Sequence, residues 1–231
     1  MFHFKKFSVD DALCAMKVGT DGVLLGAWAD VAGARRVLDA GCGSGLIALM
    51  VAQRNTEAHV TAIDIDAGAI EQSLINVGGS PWKGRIDVIS ADLRTFATDS
   101  SFDHIVTNPP FFNETIHSPN EQRAMARHSL TLSYDDIVVS AQRLLRPGGR
   151  LSLVLPAMEA ALFRRVAFER LWLRRQLNVM SRLGDTPKRV LMEFELCPDP
   201  LMPRVDELDI YEGGGYSEKY RRLTEEYYLK F

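Results

Sequence analysis

The sequence predicts an α/β fold built on a doubly wound, mainly parallel sheet, and three observations carry that prediction. From residue 36 onward, short β-rich runs alternate with helical patterns, the signature of consecutive βαβ units. A glycine-rich turn, Asp39-Ala40-Gly41-Cys42-Gly43-Ser44-Gly45, joins the first of these runs to its helix. A rigid turn, Asn108-Pro109-Pro110-Phe111, follows the fourth run, and its two prolines lack the N–H groups a ladder needs.

The elements read in order as follows. Arg36 to Asp39 is a strand and Ser44 to Arg54 a helix; Val60 to Asp64 is the second strand, followed by a helix over Ala67 to Val77. Ile86 to Ser90 and Phe102 to Thr107 are the third and fourth strands. Ser133 is a good N-cap for a helix through Leu145, with Asp135 and Asp136 in its first turn, and Pro147-Gly148-Gly149 ends it. Leu151 to Leu155 is the fifth strand, and a helix over Ala157 to Trp172 leads to two late strands, Gln176 to Arg182 and Arg189 to Leu196, making seven. A single domain is expected, with an N-terminal segment over residues 1–35, a core over 36–200 and a tail over 201–231. The tail holds an acidic stretch, Asp206 to Glu212, three glycines, and a short helix, Glu218 to Leu229, docked by Tyr220, Leu223 and Tyr227 at helical spacing.

Bulk properties exclude several classes. With 231 residues, 46% hydrophobic and 25% charged, the chain has the composition of a globular domain, and its net charge of −3 gives no global attraction to polyanions. Cys14, Cys42 and Cys197 are odd in number and far apart, so neither a disulfide framework nor a metal site is expected. The N-terminus is broken by polar residues, and the run Leu46 to Ala52 is too short to cross a bilayer. The expectation is a reduced, cytoplasmic, monomeric protein without membrane contact.

The glycine turn carries chemistry. A dinucleotide fingerprint needs Gly-x-Gly-x-x-Gly, but here the register is Gly41-x-Gly43-x-Gly45, with Leu46 where the last glycine would stand. Asp39, two residues ahead of Gly41, would repel a pyrophosphate and suits a ligand with a positive amino group. Asp64 ends the second strand, where a carboxylate can accept from ribose hydroxyls, while Asp66 caps the next helix. Asp92 ends the third strand, placed to accept from an adenine amino group. Either aspartate alone reads equally as a solvated strand end; the glycine turn followed by acidic strand ends in order is harder to dismiss.

The Asn108 turn displays an amide, free carbonyls and an aromatic face, a set that grips a planar group bearing an amino nitrogen. The Asn108 side-chain oxygen and the Pro109 carbonyl can accept the two N–H bonds of an exocyclic amine, which favours a pyramidal nitrogen and stabilises charge as it develops. Phe111 would stack on the ring, worth about 1–3 kcal/mol per base, and Phe112 either widens that platform or packs inward.

These residues resemble the class I S-adenosylmethionine-dependent methyltransferases over residues 17–156. The resemblance implies a Rossmann-like seven-stranded sheet with one antiparallel edge strand. It places S-adenosylmethionine against the Gly41 to Gly45 turn, its ribose on Asp64 with Ile65 beside it, and its adenine at Asp92 with Leu93. Asn108-Pro109-Pro110-Phe111 is similar to the turn of the subgroup that methylates amino groups, with Phe111 where tyrosine is commoner. Lys17-Val18-Gly19-Thr20-Asp21-Gly22 is similar to that subgroup's extra cofactor segment. Lys17 would face the donor's carboxylate, and Asp21 either joins it or caps a helix over Gly22 to Ala29.

The substrate class remains to be chosen. Ala157 to Leu191 holds eight Lys or Arg against three acidic residues, which reads as a cationic surface for nucleic acid or as a solvated helix face. Arg123, Arg127 and His128, in a candidate insertion over Asn113 to Thr131, are expected contacts for phosphate or a flanking base, or loop ion pairs. Release-factor glutamine methyltransferases share the turn but carry a helical domain ahead of the core, for which 38 residues before Asp39 are too few; a non-catalytic cofactor-binding module is opposed by the intact turn. Over nearly the whole chain, through Cys14 to Trp28, Asn108 to Phe112, Ala126-Arg127-His128 and Tyr227 to Phe231, the sequence resembles the tRNA1(Val) adenine-37 N6-methyltransferases. That resemblance implies a tRNA substrate, methylated at N6 of an accessible loop adenine.

Overall fold

Strand β3 (Arg36–Ala40) is the hub of the sheet. Val37, Leu38, Asp39 and Ala40 have no exposed surface, as a central parallel strand covered on both faces requires. The computed structural model describes residues 1–111 and 132–231. Around β3 lie β4 (His59–Asp64), β5 (Ile86–Ser90), β6 (Phe102–Thr107) and β7 (Leu145–Pro156), followed by β8 (Trp172–Arg182), β9 (Arg189–Glu195), β10 (Arg204–Glu212) and β11 (Gly215–Tyr216). Their order in the sheet is β11-β10-β8-β9-β7-β6-β3-β4-β5. Parallel pairing joins β5, β4, β3, β6 and β7 in that spatial sequence.

Two parts of the expected sheet are corrected. Among the described residues it has nine strands, not seven, because the tail adds two: its acidic stretch pairs in parallel with β8 as β10, from Arg204 opposite Arg175 to Tyr211 opposite Arg182, and β11 pairs with β10. Two strands run antiparallel to their neighbours, not one: β9 lies inside the sheet between β7 and β8, and β11 pairs with β10 at the edge.

The helices are α1 (Thr20–Trp28), α2 (Leu46–Arg54), α3 (Ala67–Gly78), α4 (Tyr134–Leu144), α5 (Ala157–Ala167) and α6 (Glu218–Thr224). Helices α1, α2 and α6 cover one face of the sheet, with Val23, Leu49, Met50 and Tyr220 in its core; α4 and α5 cover the other with Ile137 and Phe163. Ser133 caps α4 as expected, in a capping box with Asp136. Helix α4 ends at Leu144, and Pro147-Gly148-Gly149 lies within β7 instead of terminating the helix. Helix α5 stops at Ala167, short of Trp172, and Glu169 takes a left-handed φ of 60°. The final helix likewise ends at Thr224, although Tyr220 and Tyr227 are buried as their spacing predicts. The chain ends meet: β1 (Phe2–His3) pairs with β2 (Ser8–Val9), and Lys5 donates its backbone N–H to Tyr227 O at 2.8 Å.

The topology fixes where a ligand can sit. Chain order runs outward from β3 through β4 to β5, then returns to β6 on the other side of β3. Such a reversal leaves a crevice at the carboxyl ends of the two flanking strands.

Candidate active site

The glycine turn leaves β3 and the Asn108 turn leaves β6, so both open into this crevice. Thr107 ties them together, donating its hydroxyl to Ala40 O at 2.8 Å. A cavity of about 990 Å³ lies there, lined by residues 14–22 ahead of and within α1, the glycine turn, the ends of β4 and β5, Thr107 to Phe111, Leu132 and Arg189.

In the turn itself Gly41, Gly43 and Gly45 all adopt positive φ, at 72°, 54° and 77°. A side chain at Gly41 or Gly43 would meet nothing within 4 Å, so the backbone presents bare surface to the cavity. Gly45 does not line the cavity: it N-caps α2, and a Cβ there would lie 3.0 Å from Ser73 Oγ.

Asp39 is also corrected. It is fully buried and does not line the cavity. Its Oδ2 accepts from Ala48 N at 2.9 Å, one of the amide groups that the start of α2 leaves without a helical partner. The N-cap Gly45 has no side chain for that task, so Asp39 performs it from the neighbouring strand and braces the glycine turn from behind. Burial pushes its carboxyl up to about 7, against the Ala48 hydrogen bond and with help from Asp64. Its Oδ1 has no partner among the described residues.

Asp64 lines the cavity at the end of β4. Its Oδ2 accepts from Gly43 N at 2.9 Å and its Oδ1 from Asp66 N at 3.0 Å, so it also holds the turn in shape. A carboxylate offers about four acceptor positions, which leaves capacity for hydroxyl donors. Asp66 caps α3 through Ala69 N, as expected. Ile65 is 60% exposed at the rim, placed to cover a planar group. Asp92 and Leu93 line the far side. Asp92 is not alone: Arg94 pairs with it at 2.6 Å, and this contact lowers the aspartate's pKa. Arg94, absent from the sequence expectations, therefore shares the position expected to read adenine.

On the opposite wall, Lys17 donates Nζ to the carbonyls of Asp11, Ala12 and Cys14, the nearest at 2.7 Å, which fastens the segment ahead of α1. Thr20 opens α1 behind the N-cap Gly19. Asp21 is not a cap; it lies within the first turn and accepts from Arg189 Nε at 2.7 Å.

The Asn108 turn has a distinct polar state. Asn108 Nδ2 contacts Met16 Sδ at 3.5 Å, a weak acceptor, while Oδ1 is buried with no partner among the described residues. An unsatisfied buried acceptor is costly, and one whose residue lines a cavity has its acceptor capacity open to a ligand's donor. Pro109 is buried and Pro110 exposed. The Arg189 guanidinium lies 5.4 Å from the Phe111 ring centroid. In the sequence Arg189 reads only as one cation of a basic segment, because nothing local marks it as facing a turn 78 positions earlier. Phe112, Arg123, Arg127 and His128 lie outside the described residues. No group of metal-ligating side chains occurs among the described residues.

The donor set fits S-adenosylmethionine: bare glycine backbone, acceptor capacity at Asp64, apolar Ile65 and Leu93, and the acceptor Asn108 Oδ1 where the reactive end of the cavity meets β6. The model of the methyltransferase small domain family matches residues 17–162. A tRNA1(Val) (adenine(37)-N6)-methyltransferase of Bacteroides thetaiotaomicron is 44% identical, covering 99% of this chain and 97% of that protein. Proteins of the same description from Phocaeicola vulgatus and Haemophilus influenzae are 46% and 41% identical, each over at least 99% of this chain. Among solved structures, a predicted O-methyltransferase of Agrobacterium tumefaciens superposes with a TM-score of 0.72 at 21% identity, over 90% of this chain and 96% of that one. The N-methyltransferase NodS of Bradyrhizobium japonicum, in complex with S-adenosyl-L-homocysteine, gives 0.53 at 16% identity, over 75% and 83%; these two likenesses speak to the fold. The chain belongs to the methyltransferase small domain family of class I S-adenosylmethionine-dependent methyltransferases and is a full-length homologue of the tRNA1(Val) (adenine(37)-N6)-methyltransferases.

Proposed function

We propose that this enzyme transfers the methyl group of S-adenosylmethionine to N6 of adenine 37 in tRNA1(Val). The observation that carries the reading is the buried, unpartnered Asn108 Oδ1 at the switch point of the sheet, one strand away from the glycine turn. Full-length similarity to enzymes of that description supports the substrate.

The bound donor supplies an electrophilic methyl group on a sulfonium. The chain's own residues do the rest. Gly41 and Gly43 give close approach of backbone, Asp64 accepts from the ribose, and the Asp92–Arg94 pair flanks the adenine. Asn108 Oδ1 and the Pro109 carbonyl accept the two N–H bonds of the target amine. Those contacts localise the nitrogen lone pair toward the methyl group and stabilise the cation that forms on attack. The proton leaves after transfer, so no strong base is needed beforehand. Phe111 stacks on the target adenine, which must already be unstacked, as in an anticodon loop.

The test supplies methyl-labelled donor with separate pools of unmodified tRNA, rRNA, DNA and release factor. Label in tRNA that disappears when adenine 37 is replaced supports the reading. Label confined to protein overturns it.

A further inference from the structure

The cationic segment over residues 157–191 is less available than its composition suggests. Arg170 pairs with Asp135, Arg174 with Glu195, Arg175 with Glu193 and Arg189 with Asp21. Among the described residues Arg182 and Lys188 meet no carboxylate, and both are exposed. They bracket the turn between β8 and β9. The turn is closed by Lys188 N donating to Val179 O at 2.9 Å and Arg182 N donating to Asp185 Oδ2 at 3.0 Å, so the one acidic side chain in it is held by a backbone amide.

Strand register places this turn at the catalytic end of the sheet. Pro156 at the end of β7 pairs with Arg189, the residue whose guanidinium lies beside Phe111. On the other side, Arg182 pairs with Tyr211 in the parallel β8–β10 ladder, so the two side chains share a face. Tyr211 stacks on Tyr216 at 5.3 Å and 22°, and Tyr216 stacks in turn on Tyr220 at 5.0 Å and 17°. Tyr211 thus ends a ladder of rings and is 43% exposed. Glu212, next in β10, points to the opposite face. From β9 to β10 is two strand spacings, roughly 10 Å.

We propose that Lys188, Arg182 and Tyr211 form a docking track for the single-stranded RNA flanking the target adenine. Unpaired cations meet the phosphates, and the end ring of the tyrosine ladder stacks a neighbouring base. This pairing of exposed cations with an aromatic platform fits a single strand better than a protein surface, because every nucleotide offers both a charge and a π-face. The proposal rests on the tRNA reading above.

The test compares wild type with Arg182→Glu/Lys188→Glu, Tyr211→Ala, Tyr211→Phe and a control, Arg164→Glu/Arg165→Glu, in which the same charge change falls in the last turn of α5. Steady-state methylation of unmodified tRNA1(Val) is measured over a range of salt, together with the Kd for S-adenosylmethionine. The hairpin variant should raise the tRNA KM about tenfold or more and reduce the salt slope by about one per lost contact, with kcat and cofactor affinity held. Tyr211→Ala should raise KM about fivefold or more, and Tyr211→Phe should restore it. A hairpin variant with wild-type KM and salt slope, or a control that loses as much, overturns the track. Wild-type enzyme that labels no tRNA overturns the function itself, a different result.

Discussion

Arg189 Nε donates to Asp21 Oδ2 at 2.7 Å while the same guanidinium lies beside the Phe111 ring. One side chain on β9 thereby links the helix that borders the cofactor cavity to the ring expected to hold the substrate base. Asp21 keeps the planar cation from swinging into solvent, and the cation fixes the ring.

Arg189→Lys retains the charge but loses the planar fork and its match to the ring. The expected loss in kcat/KM for tRNA is about tenfold, in line with about 1–2 kcal/mol for a cation–π contact together with its ion pair. Asp21→Asn should cost less alone and add little to Arg189→Lys, since both break one unit. Additive losses in the double variant would separate the two residues.

Asn108→Ala removes the acceptor for the target amine while leaving Pro109 and the glycine turn in place. By analogy with loss of one preorganised polar contact to a transition state, kcat should fall about 100-fold or more. Cofactor affinity, measured by calorimetry, should stay close to wild type. Since Oδ1 has no internal partner, the variant should lose no folding stability through that atom, and a large drop in Tm would assign Asn108 a structural role instead.

Away from the cavity, a buried network gives a pH dependence. His104 Nε2 lies 2.9 Å from Ser152 Oγ, which donates to Glu193 Oε2 at 3.1 Å; Arg175, Arg150 and the Asp30 N–H also face Glu193. Burial lowers the His104 pKa from 6.5 to about 4, opposed by Glu193 and aided by Arg150 and Arg175. The unfolded chain takes up this proton near its ordinary value and the folded chain only near 4, so the stability is present above about 6.5 and lost as pH falls. Asp39 runs the other way: its raised pKa gives stability that is full below 3.8 and lost as pH rises through about 7. Urea unfolding across this window should show His104→Gln flattening the acid-side decline and Asp39→Asn flattening the opposing trend. Each effect is on the order of a few kcal/mol. A His104→Gln slope equal to wild type would mean that folding leaves the imidazole's pKa unshifted.

What the sequence revealed follows from how local each signal is. The glycine turn, the Asn108 turn and the Asp66 and Ser133 caps are set by neighbours within a few residues, and the structure has them in place. Strand β10 was hidden because Arg204 to Glu212 carries four acidic residues and reads as solvated, whereas its pairing depends on β8, some thirty positions away. Asp39 reads as a ligand contact because a carboxylate ahead of a glycine turn suits a positive amino group; only the packing of α2 shows that the side chain is buried and that its Oδ2 is taken by Ala48 N. Arg189 and Met16 reach the cavity through tertiary contacts with Asp21 and Asn108 that no spacing rule encodes.

Helix α1 reaches the cavity only because it packs closely on α2. At Gly26 an added Cβ would lie 2.6 Å from Met50 Sδ and 3.0 Å from Met50 Cβ, and Met50 is fully buried. The contact with Cβ cannot be relieved by rotating the end of the methionine, so Gly26→Ala must push the helices apart. The expected cost is about 1–3 kcal/mol, a fall in Tm of roughly 2–4 °C per kcal/mol at this size. Since Thr20 to Gly22 of the same helix line the cavity, the Kd for S-adenosylmethionine should rise as well. Gly22→Ala meets only Leu46 Cδ2 at 3.1 Å, the far end of a flexible side chain, and should be milder for stability. The order of the two variants by thermal unfolding tests the argument: if Gly22→Ala is the more destabilising, the α1–α2 contact at Met50 does not set the position of the helix.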